Sequence, residues 1–143
     1  MTRYFAYGAN MDALQMEERC PGARQVDTEA MLPNHRFRIA AAGYGTVVPE
    51  PLNVVFGVLW ELEPADEAAL DRFEGVPEGL YQKGSAMVLQ SDGTRTEAML
   101  YRATDSGPGF PAPGYLENIL LVAESLNFPE SYTGELRQLL AVH

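Results

Sequence analysis

The sequence predicts an α+β fold: a small mixed sheet curled toward a barrel, with helices packed around it. Three observations carry this. Segments of alternating or continuous apolar residues recur, best developed at Arg36–Ala42, Val54–Leu62 and Leu80–Leu89. Glycines such as Gly57 interrupt them where a strand can bulge or bend. Stretches with helical spacing begin near Pro64, Tyr115 and Pro129 and suit the outside of such a sheet. Chain order alone leaves a simple α+β sandwich open as well. The 143 residues suit a single domain, 1–143, and a hydrophobic fraction of 46% is enough for one core.

Each element has its own local reason. Tyr4-Phe5-Ala6-Tyr7 reads as a short strand running into Gly8. Met11–Cys20 reads as a helix with Met11 and Leu14 on its inner spacing, ended by Pro21-Gly22. Ala23–Leu32 alternates weakly and reads as a strand. In Arg36–Ala42, Phe37, Ile39 and Ala41 alternate with Arg36, Arg38 and Ala40. Gly43-Tyr44-Gly45-Thr46 is turn chemistry, and Pro49-Glu50-Pro51 reads as a rigid loop. Val54–Leu62 is apolar enough for burial on both faces.

Pro64 suits the first residue of a helix whose Ala69, Leu70 and Phe73 face inward, with Asp66, Glu67 and Asp71 toward water. Gly75 ends that helix. Leu80–Leu89 and Glu97–Ala103 read as strands joined through Asp92-Gly93. Thr104–Pro113 is rich in Gly and Pro and reads as an irregular loop. Tyr115–Leu126 places Tyr115, Ile119, Val122 and Leu126 on one stripe. Pro129–Val142 turns Leu136, Leu139 and Leu140 inward.

The formal net charge of −10, from 20 acidic and 10 basic residues, argues against nucleic acid or an anionic membrane surface as partner. A single cysteine, Cys20, excludes an internal disulfide and reads as a packing residue. Met1-Thr2-Arg3 leads straight into the first strand, and no apolar run approaches the ~20 residues of a membrane span. A cytoplasmic protein is expected. His35 and His143 are the only histidines and have no zinc-like spacing. There is no G-x-x-x-x-G-K-[ST] loop and no Ser–His or Cys–His arrangement. No metal and no cofactor is called for, and the sequence sets no oligomeric state.

Two places carry chemistry. The turn Gly8-Ala9-Asn10 follows a strand and precedes a helix. Glycine permits positive φ and close approach of a ligand, and Asn10 suits a turn or a helix cap. The N–H groups of Gly8, Ala9 and Asn10, with that of Met11, then form a nest for a carboxylate or phosphate. An ordinary strand and turn fits the same residues. Glu74 ends the Pro64 helix beside Phe73. The helix dipole and apolar neighbours both disfavour its ionised form and raise its pKa toward neutrality, as suits a proton carrier. A solvated helix-end glutamate fits the same position.

Tyr4-Phe5-Ala6-Tyr7-Gly8-Ala9-Asn10 resembles the YGSN signature of the gamma-glutamylcyclotransferase-like family. FGVLWELEPADEAALDRFEG, LYQK and PGYLENIL follow in the family's order, so the resemblance covers nearly the whole chain. It implies a small mixed β-barrel flanked by helices. It implies Glu74 as the catalytic acid/base and Tyr4, Phe5, Ala6, Tyr7, Gly8, Ala9, Asn10, Tyr81 and Tyr115 as substrate-binding residues. Ala9 stands where the family has Ser, which keeps a backbone donor and loses a hydroxyl. The implied activity is release of 5-oxoproline from a gamma-glutamyl amide by attack of the substrate's own α-amine, with the departing group toward Thr104–Pro113. The substrate is then a small gamma-glutamyl compound, with neither nucleic acid nor membrane as partner. The alternative is a non-catalytic binding or interaction domain on the same fold.

Overall fold

β1 (Thr2–Ala6), β2 (Arg24–Ile39), β3 (Gly45–Leu62), β4 (Tyr81–Leu89) and β5 (Arg95–Ala103) close into a barrel in the order β1-β3-β2-β4-β5. The structure is a computed structural model and describes residues 1–142; His143, one of the two histidines weighed above, lies outside the described residues. Neighbouring strands pair antiparallel, except that β1 and β5 run parallel where Tyr4 meets Met99. That parallel contact closes the sheet on itself. Closure removes the open edges that a sandwich would leave.

The weak strand at 23–32 and the clear one at 36–42 are one element. β2 runs through both, and β3 likewise runs from Gly45 through Pro49-Glu50-Pro51 to Leu62. The prolines do not form a separate loop. They fall where the β2–β3 ladder is interrupted. Pro33 pairs with Val54 and His35 with Pro49, so residues 50–53 bulge opposite Asn34. Asn34 and Leu52 both take left-handed backbone there, and Asn34 Oδ1 accepts from the Leu52 N–H at 3.2 Å. Proline has no N–H to give the ladder, so the strand keeps its direction but skips these bonds.

The other register shifts lie in β2 between Gln25 and Ala30, and the second of them ends at the Ala30–Gly57 pair. Gly57 is needed for close approach: a Cβ there would stand 2.8 Å from the Phe5 ring and collide with the Ala6 carbonyl. Phe5, Leu32, Val55, Val58, Leu59, Leu62, Val88 and Leu100 fill the core on the two faces of the sheet, each at most 1% exposed.

Among the described residues, four α-helices flank the barrel: α1 (Ala13–Arg19), α2 (Pro64–Phe73), α3 (Tyr115–Ser125) and α4 (Glu130–Ala141). α1 starts later than the spacing predicts, because Ala9–Met11 forms a 3₁₀ turn and Asp12 caps the helix through the Leu14 N–H. Leu14 is therefore exposed and Met16 is the buried residue. On α2, Leu70 packs inward as expected, but Phe73 is 54% exposed and Asp66 is buried. Asp66 accepts from the Glu63 N–H at 3.1 Å and the Gly22 N–H at 3.2 Å. It ties the start of α2 to the end of α1. Cys20 packs at the same junction, its thiol toward the Asp66 carbonyl.

α3 buries Leu116, Ile119 and Ala123, with Tyr115, Val122 and Leu126 packed alongside. α4 buries Tyr132, Thr133 and Leu136, and Leu139 and Leu140 pack more loosely. Phe56, Phe128 and Tyr132 stack together, with ring centroids 5.4–6.0 Å apart, and join both helices to β3. No helix among the described residues is long and apolar enough to cross a membrane.

Candidate active site

A cavity of about 450 Å³ opens where the end of β1, helix α1, the β2–β3 turn, the end of α2 and the start of α3 meet. That size suits a small metabolite. Eight of the residues singled out in the sequence line it: Tyr4, Tyr7, Gly8, Ala9, Asn10, Glu74, Tyr81 and Tyr115. Phe5 and Ala6 do not. They are essentially unexposed and pack under the wall, where they meet Gly57 and Val58 of β3. Their part is to hold β1 in register.

The turn after β1 is built from its own hydrogen bonds. The Met11 N–H donates to the Gly8 carbonyl at 3.0 Å and the Asp12 N–H to the Ala9 carbonyl at 3.1 Å. Met11 is thus withdrawn from the expected nest. The N–H groups of Gly8, Ala9 and Asn10 take no partner among the described residues, although all three residues line the cavity. Such donors bind best to an incoming acceptor. Gly8 has φ −122°, so positive φ is not the reason for glycine. A Cβ there would stand 2.8 Å from the Tyr115 hydroxyl oxygen.

Asn10 does not cap α1. Its amide donates to the Tyr4 hydroxyl at 3.1 Å, its Oδ1 accepts from Arg19, and its carbonyl accepts from the Trp60 indole at 3.0 Å. It is 4% exposed and holds the turn to β1, α1 and β3 at once.

Tyrosines form the inner wall. The Tyr81 hydroxyl donates to the Gly45 carbonyl at 2.7 Å, and the Tyr115 hydroxyl accepts from the Gly45 N–H at 3.0 Å. One peptide position at the start of β3 thereby aligns two side chains. Tyr7 donates to the Tyr101 carbonyl and Tyr101 to Asp71. Tyr4 and Tyr115 only accept, so each keeps its proton for a ligand. Burial pushes all five hydroxyls up, and they stay neutral.

Glu74 caps the C-terminus of α2 on the cavity wall. Its backbone N–H donates to the Leu70 carbonyl, and its carboxylate has no hydrogen-bond partner among the described residues. Burial pushes it up to about 7, against the opposing pull of Arg19. A carboxylate with that value takes and returns a proton near neutral pH.

Arg19, Gln15 and Tyr101 are cavity residues that the sequence reading passed over. Arg19 stacks on the Phe73 ring, 3.6 Å from its centroid, and makes no ion pair among the described residues. Gln15 lies one helical turn before it, with its Oε1 buried and unpartnered. Their spacing of four was the available signal, since it puts both on one helix face. Thr104–Pro113 contributes nothing to the cavity wall. It is tied back by Gly109 N–H to Ile39 and Ala112 N–H to Gly43. No group of side chains suited to a metal ion occurs among the described residues.

Comparison with known proteins bears on this site. A model of the AIG2-like family matches residues 54–136, which hold β3's second half through most of α4. A mouse gamma-glutamylcyclotransferase is 27% identical, with 94% of this chain and 76% of the relative aligned. A bovine protein of the same name is 26% identical over 95% and 77%. A solved structure named gamma-glutamyl cyclotransferase superposes with a TM-score of 0.86 at 25% identity, covering 95% of this chain and 86% of that one.

Proposed function

The chain belongs to the AIG2-like family, and from that premise we propose that it is a gamma-glutamyl cyclotransferase acting on a small gamma-glutamyl amide. One observation carries this reading: Glu74, a carboxylate with no hydrogen-bond partner among the described residues, is pushed by burial to about 7 on a wall that also holds free N–H donors.

The reaction needs no protein nucleophile. Glu74 takes a proton from the substrate's α-ammonium group. The freed amine nitrogen attacks the carbonyl carbon of its own γ-amide, closing a five-membered ring. The bond from that carbon to the amide nitrogen then breaks as Glu74 returns that proton to the departing nitrogen, and the second proton, left on the ring nitrogen by the attack, passes through the same carboxylate to the released amine. The products are 5-oxoproline and a free amine, and no water is consumed. Holding the substrate in the ring-closing conformer is worth up to ~7–11 kcal/mol in well-oriented cases. The N–H groups of Gly8, Ala9 and Asn10 serve the α-carboxylate or the developing oxyanion. The O–H groups of Tyr4 and Tyr115 supply further donors. Ala9 gives its backbone donor without the hydroxyl of the family's usual serine.

The non-catalytic alternative does not account for an unpartnered carboxylate tuned to this range. A cytoplasmic setting fits the free thiol of Cys20. The deciding assay is 5-oxoproline release from a panel of gamma-glutamyl amides by the wild-type protein and by Glu74→Gln. Release by the wild type, lost in the variant, is expected. Equal release by both removes Glu74 from its role.

A further inference from the structure

The cavity changes character from floor to mouth. Tyr4, Tyr7, Tyr81 and Tyr101 on the inner wall are each under 10% exposed. Tyr44, Phe73 and Leu80, which line the same cavity, are 49%, 54% and 56% exposed. Each stands one residue before an inner-wall residue: Gly45, Glu74 and Tyr81. Three separate segments therefore each present an apolar side chain at the mouth and a polar group or backbone further in. Among the described residues that line the cavity, Arg19 and Glu74 alone carry charge. Arg19 is already stacked on Phe73 and bonded to Asn10.

We propose that Tyr44, Phe73 and Leu80 form a leaving-group subsite that selects gamma-glutamyl conjugates whose departing amine carries an apolar side chain. This rests on the cyclotransferase reading. The glutamyl end of the substrate holds the ammonium, the α-carboxylate and the reacting amide, and the inner wall supplies the partners for all three. What remains of the substrate leaves past the mouth. Glu74 must reach the departing nitrogen, and its neighbour in sequence is Phe73, so the group on that nitrogen comes against the rim. Among the described residues that line the cavity, the one cation, Arg19, is stacked on Phe73 and bonded to Asn10, and the one carboxylate, Glu74, is engaged by the reaction. An apolar side chain instead covers surface that is otherwise left to water. A hydrophobic pocket separates substrates differing by a methylene by about 10–200-fold, so the preference is measurable.

The test compares kcat/KM for 5-oxoproline release from gamma-glutamyl-leucine, gamma-glutamyl-glycine and gamma-glutamyl-aspartate. The expected order is leucine above glycine by about tenfold or more, with aspartate lowest. Leu80→Ser and, independently, Tyr44→Ser bring the leucine-to-glycine ratio close to one. Equal rates for the leucine and glycine conjugates, or a leucine preference that survives both substitutions, overturn the subsite. If no conjugate releases 5-oxoproline, the cyclotransferase reading fails by itself. The subsite is then decided by calorimetric titration of the same three conjugates: leucine binding about tenfold tighter than glycine supports it, and equal affinities overturn it.

Discussion

A side chain at Gly8 and the hydroxyl of Tyr115 compete for one place: a Cβ on Gly8 would stand 2.8 Å from that oxygen. The oxygen cannot retreat freely, because it accepts from the Gly45 N–H at 3.0 Å, and a Cβ on Gly45 would meet it at 2.8 Å as well. α3 is thus keyed by its first residue between the turn after β1 and the start of β3.

Gly8→Ala is therefore expected to destabilise the protein by about 1–3 kcal/mol, the usual range for overpacking. Tyr115→Phe removes the clashing oxygen. In a double-mutant cycle by urea unfolding, the pair should be less destabilised than the two single changes added together. Strict additivity would mean that the turn relaxes elsewhere.

Glu74→Gln should stabilise the protein at neutral and higher pH. In the unfolded chain the carboxyl ionises near 4.3, and in the folded protein at about 7. Below about pH 4 both states hold it protonated, and wild type and variant differ little. As pH rises through this window the unfolded chain ionises first, so wild-type stability falls until both are ionised. The gain of the variant at pH 8 is at most about 4 kcal/mol. Unfolding curves at pH 4 and pH 8 check it. A less stable variant at pH 8 would mark Glu74 as a carboxylate held by favourable bonds.

The pH dependence of kcat/KM should show an acid limb near 7, because the ionised carboxylate is the form that accepts the proton. Arg19 lowers the Glu74 value, so Arg19→Met is expected to move that limb upward. A limb that stays in place would show that the guanidinium acts only through Phe73 and Asn10.

Asp66→Ala should lower stability by about 0.5–2 kcal/mol, since the N–H groups of Glu63 and Gly22 lose the acceptor that the buried Asp66 carboxylate supplies at the start of α2. Because α2 carries Glu74 at its far end, activity at a temperature well below unfolding should fall as well. Chemical denaturation and 5-oxoproline release from the same preparation separate the two effects.

Local pattern determined a good deal by itself. The three long helices, the strong apolar strand ending at Leu62, the hairpin through Asp92-Gly93 and the turn at Gly8 all follow from residue spacing and backbone preference. So does the place of Glu74 at a helix end. These are properties of neighbours in sequence. What the tertiary structure decided concerns residues far apart. Pro51 remains inside β3 because β2 pairs on either side of it, at Pro49 and at Val54. Asp66 is buried because Gly22 comes to it. The Phe5 ring packs under the wall because Gly57 leaves room for it. Arg19 reaches the site because Phe73 and Asn10 hold it there. Periodicity states which side of an element is apolar. Which groups meet across the barrel depends on closure and on long-range packing, and a single segment carries no record of either.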